Sequence, residues 1–251
     1  MQADVVLTVA ESKRLIAKGV SRHPAVLRAL SEGIVCVAKG STNAYVVEEL
    51  TGQHMDKTQY MSGRTLPAKV AFGGRLSANV PDLILRKGVP DKAVDSKSIV
   101  TEMGAGDVYL KGANALNYER RQAALLIGHP TGGTIGATIG CIIARRTKLI
   151  IPVGLEKSVP ADLRALSLTI ANASERAAGA PTLWPLETGE IFTEIEALST
   201  LVPGLSVMPL AAGGIGGAEG SVRLLLDGAE GAVAEALRAV ASCQGEPPFI
   251  S

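Results

Sequence analysis

The sequence predicts an α/β protein: a mainly parallel, Rossmann-like sheet with helices on both faces, plus a small C-terminal α+β ferredoxin-like unit. Three observations carry that expectation. Short aliphatic runs alternate with helical stretches through the first two thirds of the chain. Hydrophobic residues make up 47% but aromatics only 3%, so the core must be Val, Ile, Leu and Ala, the mixture of strands buried on both faces. The 28 glycines, about 11% against roughly 7% on average, cluster where aliphatic runs end. At 251 residues the chain exceeds one ordinary domain, and the expected division is an α/β domain over residues 1–179 and a small α+β domain over 180–251.

In chain order, residues 10–18 read as a helix with Gly19 as its stop, and residues 24–30 as a second helix ended by Gly33. Residues 34–38, Ile-Val-Cys-Val-Ala, have strand character and lead through Lys39, Gly40, Ser41, Thr42 and Asn43 into a helical stretch at 44–50. Residues 51–100, divided by Gly63, Pro67, Gly73, Gly74, Pro81 and Pro90, read as strands and loops, with Leu83, Ile84 and Leu85 one apolar piece. Val108, Tyr109 and Leu110 form a strand whose exit is Lys111, Gly112, Ala113, Asn114 and Ala115. A second glycine loop at 129–134 opens a helix of small residues that can lie close to a sheet. Residues 149–153 are the next strand, leaving through Gly154, Leu155, Glu156 and Lys157. Residues 180–185 read as a proline-bounded linker. Beyond it come helix 194–201, strands 205–210 and 221–226 joined by a glycine-rich connection, and helix 229–241.

Net charge is +1, without a basic block or interleaved aromatics, so nucleic acid is not an expected partner. Cys36, Cys141 and Cys243 are widely spaced and unpaired in pattern, which argues against a disulfide framework and for a reducing, cytoplasmic setting. No run approaches the ~18 apolar residues of a membrane span, and His23 and His54 show no ligand spacing, so neither membrane, metal nor cofactor is expected.

Backbone N–H groups, two hydroxyls and a helix start at residues 39–43 suit an anion such as phosphate, although Ser, Thr and Asn also serve as plain caps. The G-x-x-x-x-G-K-[ST] spacing of a nucleoside-triphosphate loop is absent. The segments 37–44, 107–116, 132–140 and 150–157, in that order, resemble the superfamily of ribose-5-phosphate isomerase, glucosamine-6-phosphate deaminase and CoA-transferase. The resemblance implies a phosphate at Gly40, Ser41 and Thr42, and a phosphate-side lysine at Lys157. It also marks a departure: where that family carries D-G-A-D-E, this chain has Lys111, Gly112, Ala113, Asn114 and Ala115, without either acid.

The expected ligand is therefore a small phosphorylated metabolite: a sugar phosphate, a nucleotide or a CoA-type molecule. Its binding set would be Lys39, Gly40, Ser41, Thr42 and Asn43 with Lys111, Gly112 and Asn114, and with Thr131, Gly132, Gly133, Thr134 and Lys157. His129, Glu156 and Lys111 are the candidates for acid, base or cationic chemistry in an isomerisation or transfer. Each has a plainer role open to it: a structural histidine, a surface Glu-Lys pair, a solvated lysine. The competing function is a noncatalytic metabolite sensor or assembly protein that keeps the ligand loops without the acids. A homo-oligomer, paired through the small C-terminal unit, is the expected assembly.

Overall fold

The computed structural model describes residues 1–69 and 80–249; Gly73 and Gly74 lie outside them. The first half runs β1 (Gln2–Leu7), α1 (Val9–Arg22), α2 (Pro24–Glu32), β2 (Ile34–Val37), α3 (Ser41–Thr51), β3 (Leu83–Arg86), β4 (Val89–Pro90), β5 (Val108–Leu110), β6 (Ala115–Asn117) and β7 (Gln122–Ile127). The second half continues α4 (Gly133–Ala144), β8 (Lys148–Pro152), α5 (Leu163–Ala171), β9 (Thr182–Leu186), β10 (Glu190–Phe192), α6 (Glu194–Leu201), β11 (Ser206–Ala212), β12 (Val222–Asp227) and α7 (Glu230–Ala241).

The protein is α/β, and its central sheet is mixed. Six strands lie in the order β10-β8-β5-β2-β3-β4; the first four are mutually parallel, whereas β3 and β4 join antiparallel at one edge. Two three-stranded antiparallel sheets, β1-β12-β11 and β6-β7-β9, complete the strand set among the described residues. Consecutive residues Val35, Cys36 and Val37 of β2, and Val108, Tyr109 and Leu110 of β5, are all inaccessible. Since neighbours on a strand point to opposite faces, the centre of the sheet is covered on both sides. No described helix is long and apolar enough to cross a membrane.

The expected linker at 180–185 is replaced by β9, which pairs with β7. Strand pairing also crosses residue 180 at β10, which lies on β8, and at β1, which lies on β12. The C-terminal sheet is thus a three-stranded unit with an N-terminal edge rather than the four-stranded ferredoxin-like arrangement.

Gly19 does not stop α1, which continues to Arg22 and ends at His23, where Pro24 opens α2. Its role is contact: a β-carbon there would lie 2.6 Å from Cα and Cβ of Ala197 on α6 and 3.0 Å from the Phe192 ring. On its other side α1 is tied to α3 by Arg14, which donates to Glu48 and Glu49, and to the C-terminal tail at Glu246.

Gly19→Ala tests that contact. Alanine favours a helix interior over glycine by roughly 0.5–1 kcal/mol, but overpacking typically costs ~1–3 kcal/mol. Net destabilisation is expected in urea unfolding, and a stabilised variant would overturn the close-approach account.

Candidate functional site

Parallel strands place all their exits at one edge, outside the carboxyl ends, where open α/β sheets commonly hold ligands. Here the ladder runs past the strands into the exits: Ala38 N–H donates to Leu110 O at 3.0 Å, Lys111 N–H to Ile150 O at 3.1 Å and Val153 N–H to Phe192 O at 3.0 Å. The exits of β2, β5 and β8 therefore converge. Together with the start of α4 they line a cleft of about 990 Å³.

Four groups of expected residues meet there: Gly40, Ser41 and Thr42; Lys111, Gly112 and Asn114; Gly132, Gly133 and Thr134; Glu156 and Lys157. His129 also lies on the rim, exposed, and its Nδ1 accepts from the Thr131 N–H at 3.2 Å and meets Thr131 Oγ1 at 2.9 Å. That pairing organises the turn before α4, and Thr131 is not part of the cleft wall. Lys39 and Asn43 are not part of it either. The backbone N–H of Lys39 donates to Asp82 at 2.9 Å. Asn43 is fully buried, with Nδ2 donating to Ala38 O at 2.7 Å and Leu110 O at 3.1 Å, so it braces the exits of β2 and β5 from below. Asn114 does similar work, accepting the Leu126 N–H at 3.0 Å.

Neither α3 nor α4 has a side-chain cap, although both begin on the cleft. Their first-turn N–H groups have no intrahelical acceptor and carry the positive end of the helix dipole. Thr42, 2% exposed, has a buried Oγ1 without a hydrogen-bond partner. Gly132 and Gly133 take φ of 80° and 61°, the left-handed region open to glycine, and a β-carbon on Gly132 would come within 2.9 Å of Gly136 and of the Trp184 ring.

Two lysines enter from the strand exits. Lys157 donates to Ala113 O at 2.7 Å, and burial lowers its pKa. Lys111 is held down to about 8 by burial first and then by the charge of Lys157, with Asp82 acting weakly against both. Among the described residues no carboxylate pairs with Lys111 and no acceptor bonds its Nζ.

Beyond Lys157 lies a compact cluster of opposite charges. Lys13, from α1, sits 3.8 Å from Glu156, and burial lowers its pKa. Both Glu156 carboxylate oxygens are buried without hydrogen-bond partners. Glu194, the first residue of α6, is fully buried and accepts the Leu155 N–H at 3.0 Å. A β-carbon at Gly154 would collide with Glu156 Oε2 and lie 3.2 Å from Glu194 Oε1, so the two acids crowd one point. Burial, then the Glu156 charge, pushes Glu194 up to about 7.

Sequence reasoning missed Glu194 and Lys13. Glu194 follows Thr193, whose capping box with Glu196 explains an acidic first turn without any site. Lys13 looks the same in sequence as its neighbours Arg14 and Lys18.

The fold and cleft together define an α/β protein with a basic, glycine-walled crevice at the carboxyl edge of its parallel strands. No protein-family model matches the chain, and no curated protein or solved structure is detectably similar to it.

Glu194 makes stability depend on pH. With its folded pKa near 7 and the usual value near 4.5, the folded state keeps a proton that the unfolded chain releases, so this group's contribution falls as pH rises from about 4.5 to about 7. Glu194→Gln should leave stability at pH 5 nearly unchanged and raise it at pH 8 by on the order of 3 kcal/mol, the value of the pKa displacement. Equal differences at both pH values, measured by denaturant titration, would sink this assignment.

Proposed function

We propose that the cleft binds a small phosphorylated metabolite, with the phosphate at the start of α3 and the rest of the molecule extending toward Glu156. The observation that carries this reading is Lys111: a buried ammonium with no carboxylate partner, sharing one cleft with two uncapped helix starts. An anion there satisfies first-turn N–H groups and the unpartnered Thr42 hydroxyl while restoring charge balance beside Lys111 and Lys157.

The motif order shared with the isomerase, deaminase and CoA-transferase superfamily supports the same placement of phosphate at Gly40, Ser41 and Thr42. It also bears on chemistry. The acids missing from residues 111–115 have counterparts at Glu156 and Glu194, and a buried acid pair in which Glu194 is pushed up to about 7 suits proton transfer in an isomerisation or transfer reaction. Turnover is the reading favoured over a noncatalytic sensor, because a buried acid pair serves no evident purpose in simple retention of an anion.

Thermal-shift measurements with inorganic phosphate, sugar phosphates, nucleotides and CoA esters test the reading. A ligand at a hundredfold excess over its Kd adds ~2.7 kcal/mol, which corresponds to roughly 5–10 °C for a chain of this size. Lys111→Met separates stability from binding. At pH 7 the lowered pKa of Lys111 disfavours folding; its contribution improves only as pH rises from about 8 to 10.5, where the unfolded chain holds the extra proton. The variant should therefore melt higher than wild type at pH 7, yet show no shift with phosphate. Wild-type protein indifferent to every phosphorylated compound would refute the proposal.

A further inference from the structure

The two lysines on the cleft differ in a way that an anion site alone does not require. Lys157 is anchored, with its Nζ donating to Ala113 O at 2.7 Å and with Glu156 and Glu194 nearby. Lys111 is 7% exposed and lines the cleft, and among the described residues no hydrogen bond or ion pair holds its Nζ. A pure phosphate contact is served by a paired or solvated ammonium; a largely buried amine without a carboxylate partner and beside a second cation is the arrangement of a lysine nucleophile.

We infer that Lys111 captures a carbonyl group of the ligand as an imine, so that the ligand class is a phosphorylated aldehyde or ketone. The inference rests on the phosphate reading above and adds the chemistry at the other end of the molecule. The step balances without any oxidant. The neutral Nζ adds to the carbonyl carbon, the C–O π pair moves to oxygen, and that oxygen takes a proton to give a carbinolamine. One proton passes from the nitrogen to the hydroxyl, which leaves as water with cleavage of the C–O bond, and the nitrogen lone pair forms the C=N bond of a protonated imine. One proton is consumed overall, drawn from solvent in the cleft, whose wall Glu156 shares.

The surroundings of Lys111 support the neutral form. Lys157, from the β8 exit, opposes its charge; Asp82, ahead of β3, is the acid that favours it; Lys13, Glu156 and Glu194 form the largely self-compensating cluster behind Lys157, and the exposed Lys97 lines the outer cleft. With a pKa of about 8, roughly one Lys111 in ten is a free amine at pH 7, against about one in two thousand for an ordinary lysine. That difference makes amine addition feasible at neutral pH.

Pyridoxal 5′-phosphate, which joins an aldehyde to a phosphate, is the probe. The full-length protein is incubated with it, reduced with borohydride and mapped by peptide mass spectrometry, alongside a thermal-shift titration with inorganic phosphate. The expected result is about one reduced adduct per chain, at Lys111, formed at least tenfold faster than with phosphate-free pyridoxal and slowed by inorganic phosphate. The labelling rate should rise with pH and level off near pH 8, where exposed lysines continue to gain reactivity to beyond pH 10. Lys111→Arg should lose the adduct while slow labelling of exposed lysines persists; where that variant does not fold, the wild-type pH profile and phosphate protection decide. A phosphate shift with adducts only at Lys157 or at exposed lysines overturns the imine and leaves the phosphate reading intact. Labelling of Lys111 equal with and without the phosphate group, together with no phosphate shift, overturns the phosphate reading and the ligand class built on it.

Discussion

The parallel hydrogen-bond ladder of β2, β5, β8 and β10 is the constraint on which the rest of the structure depends. Parallel pairing forces each strand to leave the sheet at the same edge, so loops about 40 to 70 residues apart in sequence become neighbours without any contact designed between them. The bonds from Ala38, Lys111 and Val153 carry that order one residue beyond the strands. Lys111 is consequently a residue on a rigid support: its backbone is fixed by Ile150 O, and the neighbouring exit is fixed by Asn43 from beneath. A site built this way holds its geometry better than one carried by free loops.

That rigidity has an electrostatic consequence. Lys13, Lys157, Glu156 and Glu194 are gathered from α1, the β8 exit and α6, and burial acts against the charge of both lysines and of Glu194. Opposite charges at short range offset part of the desolvation, yet a hydrophobic replacement of such a cluster is often as stable or more so. The cluster also leaves both Glu156 oxygens without hydrogen-bond donors. An arrangement that is unfavourable for the empty protein and opens on its main cleft is the usual signature of a working site rather than of a scaffold.

The same physics explains what was legible in sequence. The strand-to-helix unit at 34–51, strand β8, and helices α6 and α7 follow local rules of aliphatic runs, glycine exits and helical periodicity, and they lie within a residue or two of where those rules place them. The cleft was legible because parallel exits converge by topology. The errors came where tertiary pairing decides. β9 reads as a linker because of Pro181 and Pro185, but as an edge strand it tolerates the missing N–H. β1 is a short alternating segment whose partner, β12, lies more than two hundred residues away, and no local signal announces that pairing. Gly19 looks like a helix stop because glycine ends many helices, whereas its contact with Ala197 is set by how α1 and α6 cross. Asn43 belongs to the predicted binding loop by sequence and to the brace below it by geometry.

The acid-free β5 exit, Lys111, Gly112, Ala113, Asn114 and Ala115, is best understood together with the acids on the next exit. An acid within the β5 exit would sit beside Lys111, fix it as a cation and close it off with an ion pair. The carboxylates on the β8 exit and α6 instead lie with Lys13 and Lys157, and the remaining unbalanced charge falls on Lys111. The cleft thereby acquires two chemically distinct walls: an amine without a partner on one side and carboxylate oxygens without donors on the other. A molecule that presents an acceptor or electrophile to Lys111 and a donor to Glu156 satisfies both, which is a tighter specification of the ligand than either wall or the glycine loops give separately.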